Sequence, residues 1–337
     1  MPKGASKPLV ALTILFLISA LPFVGAIMPG GSDSTAGSFV VKKGTKIGAV
    51  AHALKRKDLI LSEYLFMFCS LVVYNGRIVA GEYELSPGMS TFRIAKKMAR
   101  GERKLYTLKI VEGYNLYTIG EAIEKAKIMD RKTFLQLAHA PEFLASLGIP
   151  SDSLEGYLAP DTYFFSKETG VDEFLEKIVQ RTFRFFQNED MERRMQEMNM
   201  DMFQVLSFAS IIEKEARLEN EKRTISAVFH NRLRLGMTLD ADPTVIYGRE
   251  SFKRELKKAD IEAETPYNTY RLKGLPKGPI CSPSKSSILA ALYPEQSDML
   301  YFVSRNDGSH VFSRTMQEQN HFVAMYQRNR SRKQQEE

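Results

Sequence analysis

Two glutamates, one residue apart, close an apolar run, Ala209-Ser-Ile-Ile-Glu-Lys-Glu215. A carboxyl group at the border of an apolar face is partly desolvated, which favours its protonated form. A carboxylic acid that keeps its proton near neutral pH is what general-acid catalysis requires. On an α-helix, at about 100° per residue, Val205, Ala209, Ile212 and Ala216 form one stripe. Glu213 and Glu215 then flank that stripe, roughly 80° to either side of it. They lie about 200° apart around the axis and are not expected to face one cleft as a pair. The competing reading makes both ordinary boundary glutamates, paired with Lys214, Arg217 or Lys222. Asp242 and Asp161 are the other carboxylates that could join a site. Periodicity does not choose between Glu213 and Glu215.

The rest of the inventory narrows the chemistry. The chain has no zinc-protease HExxH, no CxxC, no phosphate-cradling glycine loop, no dinucleotide fingerprint and no nucleophile elbow. Five scattered histidines argue against a zinc site, so neither metal nor cofactor is expected. What remains is carboxylates, amides, hydroxyls and aromatic rings, an inventory suited to carbohydrate. A glycosidic bond is cut by protonating its leaving oxygen, and hydrolases add a second carboxylate as base or nucleophile.

These groups must be positioned by the elements around them. The spacing predicts helices over 171–187, 202–218 and 221–235, the last closed by Gly236. Leu154-Glu-Gly-Tyr-Leu-Ala-Pro-Asp-Thr-Tyr-Phe-Phe165 lacks helical period and reads as an ordered loop entering a strand. Its rings beside Glu155 and Asp161 suit sugar stacking or plain packing. Asp242-Pro243 breaks the chain before a short helix at 244–247, and 249–264 reads as a charged surface connector. The loop at 267–280 is dense in Tyr, Gly and Pro, and a helix is expected at 286–292. Segments 299–303 and 309–313 read as a hairpin turning at Asn306-Asp-Gly308, followed by a helix over 315–328.

Upstream there is a weak internal repeat. Strands at 38–41, 83–85 and 108–111 each precede a glycine (Gly44, Gly88, Gly113), a small polar N-cap candidate (Thr45, Ser90, Asn115) and an amphipathic helix. A further helix is expected over 59–74. Strand–helix–helix–strand in this span is the plan of a LysM-type module that binds peptidoglycan-like glycans; a small α+β domain with structural turns is the plainer reading. The expected fold class is α+β: an N-terminal transmembrane helix, a LysM-like α+β module, then a mixed α/β catalytic domain. The expected boundaries are a cytoplasmic N-terminus at 1–7, an anchor at 8–29, a linker at 30–37, the LysM-like part at 38–107 and the catalytic part at 108–337.

The anchor rests on composition. No residue between positions 8 and 31 is charged, and 10–28 is almost wholly apolar, close to the roughly 20 residues that span a bilayer. Lys3 and Lys7 precede it and hold the N-terminus in the cytoplasm, which exports the body of the chain. A signal peptide cut after Val24-Gly25-Ala26 is the alternative and exports it equally. The net charge of +7 suits an anionic partner such as an acidic polymer or a phospholipid surface. No basic run is interleaved with aromatics, so nucleic acid is not the expected partner. Cys69 and Cys281 allow one disulfide at most and do not fix the compartment.

Six motifs occur together and in order: Glu155-Gly-Tyr-Leu-Ala-Pro-Asp-Thr-Tyr163, Ala209-Ser-Ile-Ile-Glu-Lys-Glu215, Val228-Phe-His-Asn-Arg-Leu233, Asp242-Pro-Thr-Val-Ile-Tyr-Gly248, Tyr267-Asn-Thr-Tyr270 and Gly274-Leu-Pro-Lys-Gly-Pro-Ile280. With them the chain resembles the YceG-like family, the membrane-anchored endolytic murein transglycosylases of bacteria. The resemblance spans the whole chain. It implies a lyase that cuts the MurNAc-β-1,4-GlcNAc bond within nascent glycan strands without water, leaves a 1,6-anhydro end and so terminates elongation. It implies that the second glutamate of Glu-Lys-Glu, here Glu215, is the single acid/base, with Glu213 in support. Asn268, Tyr270 and Tyr247 are then expected to line the cleft, with Asp242, Glu155 and Tyr157 as further binding or supporting residues. Peptidoglycan synthases (penicillin-binding proteins) at the inner membrane are the implied partners. The alternative is a non-catalytic peptidoglycan-binding scaffold that recruits those synthases. The chain departs from the family pattern at Cys281-Ser-Pro-Ser and at Gln319-Asn320, which leaves the fine shape of the cleft open.

Overall fold

The structure is a computed structural model and describes residues 35–249 and 255–328. The expected anchor lies outside the described residues. Among those described, no helix is long and apolar enough to cross a membrane. The fold is α+β, with fourteen α-helices and three two-stranded sheets among the described residues. Two compact units divide the chain: one holds residues up to 107 together with 164–170, the other holds 108–163 and everything from 171 onward.

In the first unit β1 (Gly37–Val41) pairs antiparallel with β2 (Gly81–Leu85), with Phe39 opposite Tyr83. Between them lie α1 (Ile47–Arg56) and α2 (Glu63–Phe68), and α3 (Thr91–Arg100) follows β2. Alternation on β1 turns Phe39 and Val41 inward, onto Leu54, Phe66, Tyr83, Ile94 and Met98. The helix expected over 59–74 is shorter and irregular: Ser62 caps α2 by accepting from the Leu65 amide, and Cys69–Val73 widens into a π-turn. The strand–glycine–helix repeat recurs three times, the third as β3 (Tyr106–Ile110) and α4 (Leu116–Lys125). Ser90 and Asn115 cap their helices as expected. Thr45 does not, because its hydroxyl donates to Lys42 O at 2.8 Å and the cap position falls to Lys46.

In the second unit, after α5 (Arg131–Leu137) and α6 (Pro141–Ser146), β4 (Asp161–Phe165) pairs with β3. The chain crosses between the units inside each of these two strands. Then come α7 (Val171–Phe186), α8 (Glu189–Met198), α9 (Met202–Glu215), α10 (Lys222–Arg234), α11 (Asp242–Gly248), α12 (Lys258–Glu262), α13 (Lys285–Leu292) and α14 (Met316–Val323), with the hairpin β5 (Tyr301–Ser304) and β6 (His310–Ser313) before the last.

Helix α9 is the core of this unit. It opens on a reciprocal capping box between Asp201 and Gln204. The expected apolar stripe is too narrow a description, because every residue from Val205 to Ile212 is buried. Helix α13 covers one side, and α10 and α11 also pack against it. The helix ends at Glu215, three residues before the expected end, because Ala216 adopts an extended conformation. Helix α11 starts at Asp242 itself, with Pro243 in the first turn where its missing N–H costs nothing. The expected connector contains α12, and α8 was not anticipated. Its apolar stripe is only three methionines, Met191, Met195 and Met198, in an otherwise charged run, and Met191 is its one buried residue.

Candidate active site

Glu215 is the last residue of α9, and Asp242 the first of α11. Desolvation raises the Glu215 carboxyl to about 8, with the negative charge of Asp242 as the smaller contribution. Glu215 is therefore a neutral acid at pH 7. The Tyr270 hydroxyl donates to Asp242 Oδ1 at 2.7 Å. Its phenol is pushed up by burial, by that bond and by the charges of Asp242, Asp240 and Glu215. Glu215, Asp242 and Tyr270 thus act on one another electrostatically, so the site does gather a second carboxylate, drawn from α11 and not from the neighbouring Glu213.

Helix α11 joins this cluster to another. Tyr247, about 7–8 Å further along its axis than Asp242, donates its hydroxyl to Glu155 Oε2 at 2.8 Å. The same oxygen accepts the Leu116 N–H at 2.9 Å, at the open N-terminus of α4, where the helix dipole favours an anion. Burial nevertheless dominates and lifts Glu155 to about 7. Tyr247 also meets Tyr267 edge-on, with ring centroids 4.8 Å apart.

Glu213 serves a different partner. Its Oε2 accepts from the Ser284 amide (3.0 Å), the Ser284 hydroxyl (2.5 Å) and the Ser287 hydroxyl (2.6 Å), with Lys222 Nζ at 3.5 Å. Burial works to raise this carboxyl. The serine hydrogen bonds and the Lys222 charge outweigh it and hold the group below its usual value. Ser284 is the N-cap of α13, so Glu213 ties α9 to the start of that helix. The departure Cys281-Ser-Pro-Ser supplies the first of these serines, Ser284. Cys69 and Cys281 are buried free thiols and form no disulfide; the Cys281 thiol donates to Ser210 O at 3.4 Å.

Three other expected residues do not line the cleft. Asn268 is fully buried, and its amide donates to Ile261 O (2.8 Å) and Ala263 O (2.6 Å) while its Oδ1 accepts from the Tyr270 amide (3.0 Å). It shapes the loop that carries Tyr270 instead of meeting a sugar. Replacing Asn268 with Ala leaves two carbonyls without their donor and is expected to cost about 2–3 kcal/mol of stability, measured by chemical denaturation. Tyr157 is fully buried edge-on to Phe183, so it can support but not bind. Asp161 pairs with Arg181 in a separate cavity of about 400 Å³ that includes Glu112, Phe185 and Lys285.

Sequence reasoning missed the residues that set the angle of α11. Thr269 Oγ1 accepts the Ala241 amide at 3.0 Å and meets Thr244 Oγ1 at 2.8 Å. One threonine in the first turn of α11 and one in a distant loop carry no periodic signal; their place inside the Asp-Pro-Thr and Tyr-Asn-Thr-Tyr motifs was the available clue. The Phe-His-Asn-Arg run was likewise given no role. On α10, His230 donates to Ala291 O (2.8 Å), Asn231 to Ser297 O and Met299 O, and Arg232 to Leu300 O and Asp240 Oδ2 (2.7 and 2.9 Å). Arg232 thereby fixes the turn that leads into Asp242. Gly156, at φ +81°, lies so close to Pro279 that an added Cβ would meet the ring at 2.6 Å.

Comparison with known proteins places this geometry. Residues 39–325 match the YceG-like family model. An endolytic murein transglycosylase of Bacillus subtilis (strain 168) is 32% identical over 298 residues, covering 83% of this chain and 82% of that protein. A protein of the same description from Streptococcus pneumoniae serotype 2 is 26% identical, covering 86% of this chain and 61% of its own length. The crystal structure of a putative yceG-like protein from Listeria monocytogenes superposes with a TM-score of 0.60 at 34% identity, covering 86% of this chain and all of that one. With its family model matched over most of its length, the chain belongs to the YceG-like family.

Proposed function

We propose that this chain is an endolytic lytic transglycosylase of peptidoglycan. The observation that carries the reading is Glu215, a carboxylic acid held protonated at neutral pH at the end of a rigid buried helix. The names of the relatives point the same way. Glu215 gives its proton to the glycosidic oxygen as the bond from the muramoyl anomeric carbon breaks. The resulting carboxylate then takes the proton of the muramoyl 6-hydroxyl, whose oxygen closes on that carbon. One group serves as acid and then base, and no water enters. Asp242, oriented by Tyr270, supplies negative charge facing the developing oxocarbenium ion. Glu213, Asn268, Tyr247, Glu155 and Tyr157 hold the elements that aim these groups.

The apolar run at 8–29 anchors the chain in the inner membrane with its body on the extracytoplasmic side, where nascent strands and their synthases lie. The β1-α1-α2-β2 order of the first unit supports its reading as a LysM-like glycan-binding module. Digestion of un-crosslinked glycan strands, with mass analysis of the ends, tests the activity. Anhydro-muramoyl ends are expected. Reducing ends would make the protein a hydrolase, and strands bound but left intact would make it a scaffold.

A further inference from the structure

The second unit holds a cavity to which the acid/base step at Glu215 gives no task. It measures about 400 Å³, in the range of small-ligand sites, and every residue around it belongs to that unit. Its floor is apolar, with Phe185 of α7, Leu206 of α9 and Ile288 of α13. Its wall includes Ala159-Pro160-Asp161, from the Glu155–Tyr163 motif.

Charges of both signs border it. Arg181 and Asp161 pair with each other. Lys285 places its Nζ 5.6 Å from the centroid of the Phe185 ring, and Glu112 borders the same space. Lys285 and Glu112 are exposed, and among the described residues neither forms an ion pair. One positive and one negative charge are thus open to a ligand beside an apolar floor. That combination is complementary to a chain carrying both signs, not to a neutral one. The N-acetylated sugars of a murein strand are neutral once the lactyl carboxyl of muramic acid is amide-linked. The short peptide on that lactyl group is not: it carries free carboxylates, the amine of a diamino acid and apolar alanine methyls.

The cavity also stands near the reacting sugar. Ser284, on its wall, donates to Glu213 Oε2, and Glu213 precedes Glu215 by two residues on α9. The two glutamates lie on opposite borders of a helix about 10–12 Å across. A peptide of about five residues spans roughly 17 Å, enough to pass from a muramoyl group at Glu215 to the cavity.

We propose that this cavity binds the peptide carried by the muramoyl residue under attack, with Lys285 meeting a peptide carboxylate and Glu112 its free amine. The proposal rests on the transglycosylase reading above. Cross-linking consumes the amine of one peptide and the terminal residue of its partner. A site that reads both charges therefore favours un-crosslinked strands.

The full chain is assayed on un-crosslinked strands that keep their peptides and on the same strands stripped by an amidase. Wild type should show a kcat/KM about tenfold higher on the first, with anhydro ends from both. Lys285→Glu should lower that ratio about fivefold, the most that one partly exposed ion pair contributes, and Lys285→Arg should keep it. Acetylating the peptide amine should slow wild type by about 2–5-fold and leave Glu112→Gln unaffected. Both side chains are exposed, and thermal melts confirm that each variant is folded. Equal wild-type rates on the two strands, or a ratio that survives Lys285→Glu, overturn the peptide site and leave the transglycosylase reading intact. Anhydro ends from neither strand overturn that reading, and equilibrium dialysis with muramoyl pentapeptide then decides the site alone. Retention by wild type that Lys285→Glu abolishes supports the site; no retention by wild type, or retention unchanged in Lys285→Glu, overturns it as well.

Discussion

Replacing Glu215 with Gln is expected to lower the rate of strand cleavage by about 10²–10⁴-fold, the range a general acid/base contributes, and at the same time to raise the stability of the protein. The two effects share one cause. The folded protein lifts the Glu215 carboxyl from 4.5 to about 8, chiefly by desolvation. Below pH 4.5 the group is protonated in both folded and unfolded chains and costs nothing. Between pH 4.5 and about 8 the unfolded chain releases the proton while the folded chain keeps it, so stability falls as pH rises. At about 1.4 kcal/mol per pH unit, the cost at pH 7 reaches about 3 kcal/mol, an upper figure because Glu215 keeps some contact with solvent. Glutamine has the same shape and no proton to lose. Thermal melts at pH 5 and pH 8 check the sign: the advantage of Glu215→Gln should be small at the first and larger at the second. The wild-type kcat/KM should decline as pH rises through about 8, as the acid form is lost. A Gln variant that melts lower than wild type at pH 8 would show that Glu215 is not held in its strained, neutral form.

How far the sequence exposed this arrangement depends on the kind of signal each residue left. Helix periodicity placed Glu213 and Glu215 on opposite borders of α9, and their partners do lie on different elements, α13 and α11. The strand–glycine–helix repeat was legible because each copy carries its own turn and helix. Neither periodicity nor turn chemistry reports on contacts distant in sequence. Nothing in Asp242-Pro-Thr says that its carboxylate reaches Glu215, nor does Tyr267-Asn-Thr-Tyr say that Asn268 turns inward and Tyr270 outward. Those facts follow from Thr269 gripping Ala241 and Thr244, a pairing across about 25 residues. The full burial of Val205–Ile212 escaped for a related reason: a helix covered on every side leaves no amphipathic pattern.

Glu213→Ala is expected to do the reverse of Glu215→Gln and destabilise the protein by about 3–5 kcal/mol, the cost of breaking a buried ion pair by removing one partner. The Lys222 side chain is 7% exposed, and its ammonium also contacts Ser284, Ser286 and the outer carboxylate of Glu219. Without Glu213 it retains one partly solvated counter-charge, and the hydroxyls of Ser284 and Ser287 lose their acceptor. The pH dependence has the opposite sign too. Hydrogen bonds from the serines and the charge of Lys222 hold the folded pKa below 4.5 against the effect of burial. The stabilisation is therefore present above pH 4.5 and is lost as pH falls through the lowered value. Urea denaturation at pH 7 should show the loss in the midpoint with little change in slope. Replacing both partners, as in Glu213→Leu with Lys222→Met, should cost less than Glu213→Ala alone, because it leaves no buried charge unpaired. Activity should follow stability in this series, not chemistry: where the Glu213→Ala chain is still folded, its products keep anhydro ends and its decline above pH 8 is unchanged. A shifted pH profile in that variant would mean that the two glutamates of α9 share the acid/base role, and the separation of their tasks between α13 and α11 would fail.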